Sequence, residues 1–118
     1  MKNLKTQYWL LKTEPSELSI DMLQSQGRAV WDGVRNFAAR KNLRSMQRGD
    51  LVLIHHSSVK EPAIVGIGEV AETAYSDPSQ FDKKSHYYDP RSKEGEGIWS
   101  AVDIQFVTKF KSPVTLKF

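Results

Sequence analysis

A chain of 118 residues with 39% hydrophobic and 10% aromatic content suits one folded domain built on a single core. The absence of cysteine excludes a disulfide framework, a thiolate nucleophile and a cysteine zinc site. No long apolar run or apolar leader is present, so no membrane partner is expected and localisation defaults to the cytoplasm, or the nucleus in a eukaryote. The net charge of +3 is unevenly placed: Arg28, Arg35, Arg40, Lys41, Arg44 and Arg48 fall in one window opposed only by Asp32, and the remainder is mildly acidic. One cationic face on an acidic body is the footprint of a phosphate-bearing partner.

Tyr8 to Lys12 (YWLLK) is a short apolar run stopped by Pro15, as a buried first strand would be. Ser19 predicts a helix cap, with Asp21 at the positive helix start, Ile20, Leu23 and Met22 as the apolar stripe and Gly27 as the stop. Trp31 to Gly33 reads as an aromatic-glycine turn. From Asn36 a second helix is predicted, since Ala39, Leu43 and Met46 recur at helical spacing while Arg40, Lys41, Arg44 and Arg48 gather on the other side. Leu51 to Ser57 is a strand whose alternation puts Leu51, Leu53 and His55 on one face and Val52, Ile54 and His56 on the other. Ala63 to Tyr75 is a long strand in which Gly66 and Gly68 mark a bend, a bulge or a close backbone approach. Asp77 to Pro90 reads as a loop, yet Phe81, His86, Tyr87 and Tyr88 are more aromatics than a solvated loop needs, so some should pack back. Ile98 to Phe110 alternates as a strand, and SPVTLKF looks like the start of a further element. Several strands with few, short helices predict an α+β fold, a partly closed small β-barrel flanked by helices.

No nucleophile-base motif, Walker loop, HExxH or strand-borne GxGxxG occurs, so no catalytic residue and no cofactor are expected. His55 and His56 are adjacent on a strand and point apart, which excludes a shared metal. Three tryptophans in so short a chain carry more information: a flat aromatic pocket flanked by donors is how proteins hold a base pulled out of a helix. Trp9, Trp31 and Trp99 are candidate walls. Lys12, Asn36 and Ser57 stand near element ends, where an amide or hydroxyl can read a base edge, and Lys12 or Arg35 can pair with phosphate.

YWLLKTEPSE (Tyr8 to Glu17), VWDGVRNFAARKNLRSM (Val30 to Met46), GDLVLIHHS (Gly49 to Ser57), IVGIGEV (Ile64 to Val70), YYDPRS (Tyr87 to Ser92) and VDIQFV followed by SPVTL resemble the EVE domain family in order over nearly the whole chain. The resemblance implies a PUA-like fold, a small mixed or antiparallel β-barrel with short helices, related to the YTH and ASCH domains. It also implies a reader of modified bases in DNA or RNA, modified cytosine in DNA foremost, rather than a catalyst. Carried over by position, the pocket and its rim draw on Trp9, Lys12, Trp31, Val34, Arg35, Asn36, His56 and Ser57, with Trp99 as a further wall. Glu14 and Asp32 are read as structural. The phosphates of the neighbouring nucleotides would fall to Arg35, Arg40, Lys41 and Arg44. Family members usually continue past PVTL into a helical segment and a closing strand, so residues 1–118 form a single domain expected to lack that end. A monomer is the simplest expectation, and an exposed strand edge is the route to self-association.

Two other readings stay open at this stage. One is a hydrolase acting on modified nucleosides, for which Lys12 and Glu14, two apart on one strand face, are the available pair. The other is a regulatory module whose cleft takes a small molecule or anion.

Overall fold

The computed structural model describes residues 6–115 apart from 94 and 96. Five strands and two α-helices follow one another as β1 (Tyr8–Thr13), α1 (Ile20–Gln26), β2 (Arg28–Trp31), α2 (Phe37–Ser45), β3 (Leu51–His56), β4 (Ala63–Ser76) and β5 (Ser100–Thr115), with a 3-10 turn at Pro78–Phe81. The strands form one mixed sheet in the order β1-β3-β4-β5-β2. Only β1 and β3 run parallel, with Tyr8 opposite Leu51 and Thr13 opposite His56. The remaining ladders are antiparallel.

The fold class is therefore the α+β one read from the sequence, with a partly closed barrel. Among the described residues β1 and β2 are the two ends of the strand order and are not paired with each other. β2 was itself hidden, because four residues (RAVW) running into Trp31-Asp32-Gly33 give too short a pattern to separate from the turn. The C-terminal pattern is also longer than it looks, since Val114 and Thr115 pair with Ile64 and Ala63 and so extend β5 through Pro113. Leu116 to Phe118, the rest of the SPVTLKF stretch, lie outside the described residues.

Local chemistry sets both helices. Ser19 Oγ accepts the Met22 N–H at 3.0 Å, and Gly27, at φ +80°, closes α1 by donating to the Leu23 carbonyl. Asn36 Oδ1 caps α2 by accepting the Ala39 N–H at 3.0 Å. Ile20, Leu23, Leu43 and Met46 then bury their side chains against Val52, Ile54, Val70, Val102 and Ile104 to make the core. Met22, expected on the buried stripe, instead faces solvent. Two-residue alternation also fails on β3, where a bulge between Ile54 and His55 buries both side chains in succession and leaves His56 half-exposed.

The long strands bend at their glycines. Register shifts fall at Ile64/Gly66 and at Ile67/Gly68. A Cβ on Gly68 would lie 2.5 Å from Ile104 Cγ2 and 3.1 Å from the Gln105 carbonyl oxygen. Gly68→Ala is expected to overpack this crossing and destabilise the fold by about 1–3 kcal/mol, read as a lower urea midpoint with an unchanged m-value.

Candidate nucleic-acid interface

The loop after β2 is organised around one buried carboxylate. Asp77 is completely buried. Its Oδ1 accepts from the Ser79 N–H at 2.7 Å and the Ser79 hydroxyl at 2.6 Å, and its Oδ2 from the Gly33 N–H at 2.9 Å and Arg35 Nη1 at 3.0 Å. Burial alone would raise the Asp77 pKa, but these hydrogen bonds outweigh it and hold the carboxyl below its usual range. Gly33 takes φ +77°, and a Cβ there would meet the Tyr87 ring at 2.6 Å, so both its backbone and its neighbour require glycine.

Arg35 spends its whole guanidinium inside the protein. Nε and Nη2 donate to the Tyr87 carbonyl, Nη1 to the Val34 carbonyl and Asp77, and Nη2 also to Ser79 Oγ. The charge lies 5.4 Å from the ring centres of both Tyr87 and Trp99. Tyr87 in turn donates its hydroxyl to Glu17 at 2.8 Å, and burial together with that carboxylate pushes its pKa up to about 12. The loop after β4 is thereby fastened to the loop after β2 and to the segment between β1 and α1.

Between these segments lies an open cleft of about 660 Å³, a size in the roughly 300–1,000 Å³ range of small-molecule sites. Lys12 and Thr13 of β1 line one side and Ala29, Val30 and Trp31 of β2 the other, so the cleft occupies the gap the open barrel leaves between its two edge strands. Val34, Asn36, Ser57, His86 and Tyr87 also line it, as do the carboxylates Glu14, Glu17 and Asp32. Much of its polar capacity is already spent. Glu17 takes the Tyr87 hydroxyl, Glu14 takes the Ser58 hydroxyl, and Asn36 Oδ1 is the α2 cap. Among the described residues the Asn36 amide NH₂ and the Lys12 ammonium remain as donors, and the Asp32 carboxylate and the Ser57 hydroxyl oxygen remain as acceptors.

Of the residues singled out from sequence, Lys12, Trp31, Val34, Arg35, Asn36 and Ser57 line this cleft. Trp9, His56 and Trp99 do not. Trp9 turns its indole N–H to Asp50 at 2.9 Å, bracing β1 against the turn before β3. His56 Nε2 accepts the Ile20 N–H at 3.1 Å, and burial lowers its pKa, with His55 and Lys109 adding to the shift against Asp21, so a neutral ring holds the start of α1. Trp99 is buried, stacks on Phe37 at 5.0 Å and donates to Asp89 at 2.8 Å.

The expected phosphate ligands also divide. Arg35 has no N–H left for a phosphate, because its five donors are used internally. Arg40 donates to the Ile98 carbonyl and lies 4.7 Å from the Phe37 ring centre, while Arg44 donates to Ser100 Oγ and to Ile98. Each of those two keeps N–H groups to spare, and Lys41 is exposed on the same helix. Sequence reasoning missed Tyr87, Glu17 and His86 as cleft residues and took Glu14 and Asp32 as structural. The surplus of loop aromatics was the available signal for Tyr87, but its target at Gly33 is more than fifty residues away in sequence.

The family model for the EVE domain matches residues 7–118. The chain belongs to the EVE domain family. Among solved structures, this EVE domain superposes on a Pseudomonas syringae protein with a TM-score of 0.90 at 50% identity, covering 92% of this chain and 73% of that one. It superposes on human thymocyte nuclear protein 1, solved in complex with 5-methylcytosine-containing DNA, with a TM-score of 0.90 at 40% identity, covering 94% of this chain and 71% of that one. Mouse thymocyte nuclear protein 1 is 42% identical over 98% of this chain and 56% of its own length. The chain thus spans about half the length of the curated relatives it matches. Among the described residues of the EVE domain no helix is long and apolar enough to cross a membrane, and no cluster of three or more His, Cys, Asp or Glu side chains could hold a metal ion.

Removing the Asp77 charge tests the scaffold. Asp77→Asn leaves Arg35 half-paired and is expected to cost about 1–3 kcal/mol, toward the lower side for a buried pair because Arg35 keeps some solvent contact. Since the native pKa of Asp77 is depressed, the stability it contributes is complete above the unfolded carboxyl value near pH ~4 and is lost as pH falls through the native value. The gap between wild type and Asp77→Asn in urea midpoints should therefore be full at neutral pH and shrink in acid.

Proposed function

We propose that this EVE domain binds nucleic acid and reads a modified base, modified cytosine in DNA, in the cleft between β1 and β2. The observation that carries the proposal is the cleft itself, with Trp31 and Val34 on its wall and unspent polar groups at Lys12, Asn36 and Asp32. The likeness to thymocyte nuclear protein 1, whose solved structure holds 5-methylcytosine-containing DNA, supports it. A flipped base would lie against Val34, Tyr87 and the small exposed edge of Trp31, which is otherwise packed in the core, and stacking on an aromatic ring is worth roughly 1–3 kcal/mol per base. The Asn36 amide and the Lys12 ammonium would donate to base acceptors, and Ser57 Oγ, whose hydrogen goes to the Thr13 carbonyl, would offer its lone pairs.

The flanking phosphates would run along α2, which starts at the cleft with Asn36 and carries Arg40, Lys41 and Arg44 outward. Arg40 and Arg44 are preset by their bonds to Ile98 and Ser100, which reduces the side-chain freedom lost on binding. Trp9, His56, Trp99 and Arg35 would act through the scaffold, fixing β1, α1 and the two loops that frame the cleft. A reader of this kind works where nucleic acid is found, in the cytoplasm of a prokaryote or the nucleus of a eukaryote.

A buried methyl contributes only about 0.8 kcal/mol, so a 5-methyl group alone should improve binding by no more than a few-fold. Fluorescence anisotropy with short DNA strands carrying 5-methylcytosine or cytosine should show this preference, and affinity should fall steeply with salt. Lys41→Ala is expected to lower the slope of log affinity against log salt by roughly 0.7–0.9 without altering the preference between bases. Asn36→Asp, which keeps the helix cap but replaces the donor amide with a negative charge, is expected to abolish base preference while thermal unfolding stays within a few degrees of wild type. Retained preference in that variant would contradict the assignment of the cleft.

A further inference from the structure

A reader of methylated cytosine in DNA faces a competitor that carries the same methyl group. Thymine presents a 5-methyl as well, and it differs from 5-methylcytosine on the base-pairing edge, where a carbonyl at position 4 replaces the amine. No wall that recognises only a flat ring and a methyl can separate the two. The discrimination has to come from a group that distinguishes a donor from an acceptor.

Among the described carboxylates that line the cleft, one takes no hydrogen bond from any other residue. Asp77 has four donors, Glu17 has the Tyr87 hydroxyl and Glu14 has the Ser58 hydroxyl. The carboxyl of Asp32, by contrast, lines the cleft, is exposed, and among the described residues accepts from none but its own backbone N–H. An ionised carboxylate accepts and never donates. We propose that Asp32 is the residue that selects an amine-bearing pyrimidine, accepting the N4 amine of 5-methylcytosine and rejecting thymine by setting its oxygens against the O4 carbonyl. This inference rests on the base-reading function proposed above and adds the group that reads the base.

The position of Asp32 in the loop supports the assignment. It is joined to Gly33, whose N–H is fixed on Asp77, and followed by Arg35, whose guanidinium is fully bonded, so the backbone beneath Asp32 is held still. Its own pKa is raised, by desolvation and then by the Asp77 charge, with Arg35 opposing and Glu17 adding to the rise. Asp32 is exposed, so its carboxylate meets solvent in the free protein, and an amine would take the place of that water. Lys12 and the Asn36 amide, both donors, stand in the same cleft for the ring acceptors, so the unspent groups match the mixed donor and acceptor edge of cytosine.

The test compares three otherwise identical single-stranded DNAs carrying 5-methylcytosine, thymine or cytosine at the central position, titrated by anisotropy against wild type and Asp32→Asn. Wild type is expected to prefer 5-methylcytosine to thymine by about tenfold or more, and in Asp32→Asn the preference should collapse toward unity, because the amide can turn an NH₂ toward the thymine carbonyl. Removing a carboxylate held near Asp77 relieves repulsion, so the variant should fold, which its thermal unfolding checks. A second measurement follows the Asp32 side-chain carbon by NMR during a pH titration: adding the 5-methylcytosine strand should lower the Asp32 pKa, and adding the thymine strand should not. An unchanged 5-methylcytosine to thymine ratio in folded Asp32→Asn, or an Asp32 titration indifferent to the strand, would overturn the role of Asp32 while leaving the base reader standing. Wild-type binding that ignores the central base altogether would overturn both.

Discussion

The fully buried Asp77 carboxylate is the constraint on which the rest of the site depends. It sits just past β4, yet its two oxygens hold the Gly33 backbone beyond β2, the Arg35 guanidinium and the following 3-10 turn. A buried charge is costly unless its lone pairs are filled, and here filling them requires the loop after β2 and the 3-10 turn after β4 to converge on one point. Arg35 extends the same network to the Tyr87 backbone, and Tyr87 extends it to Glu17. One carboxylate thereby fixes the relative positions of three connecting segments, and the cleft lies between them.

An open barrel gives that cleft its character. Sheet edges are usually a liability, because unpaired N–H and C=O groups invite pairing with another chain. In this fold the two edges flank the cleft, and the Trp31 and Lys12 positions fall on opposite sides of it. The sheet can bend far enough to bring its ends toward each other because β4 and β5 carry register shifts at Gly66 and Gly68, where there is no room for a side chain. The bend is a property of the core, and the recognition surface follows from it.

The core was legible in the sequence wherever local chemistry decided the outcome. The cap at Ser19, the helix start near Asn36, the stripe of Leu43 and Met46, and the tight glycines of β4 each announce themselves within a few residues, and the structure has them in place. What escaped depends on distance. β2 is four residues long and gains its strand character from pairing with Val102 to Gln105. The bulge that buries His55 has no signature in the alternation of Leu51 to His56. The same limit governs the site. A tryptophan near a strand end points to a pocket only if its indole N–H lacks a partner in the fold, and Trp9 and Trp99 both have one, at Asp50 and Asp89. Arg35 reads as a phosphate ligand until Asp77, Ser79 and Tyr87 are seen around it, and none of those lies within forty residues of it in sequence.

The central claim is that the gap between the edge strands, and not the basic outer face of α2, holds the base. Its most direct test is NMR chemical-shift mapping of the isotope-labelled protein titrated with a short DNA strand carrying one 5-methylcytosine, compared with the same strand lacking that base. The account predicts that the base-dependent shifts concentrate on the Trp31 indole, the Asn36 side-chain amide, Lys12, Ser57 and the backbone of Asp32 and Gly33, while shifts on α2 are common to both strands. Base-dependent shifts confined to α2, with the cleft silent, would contradict it.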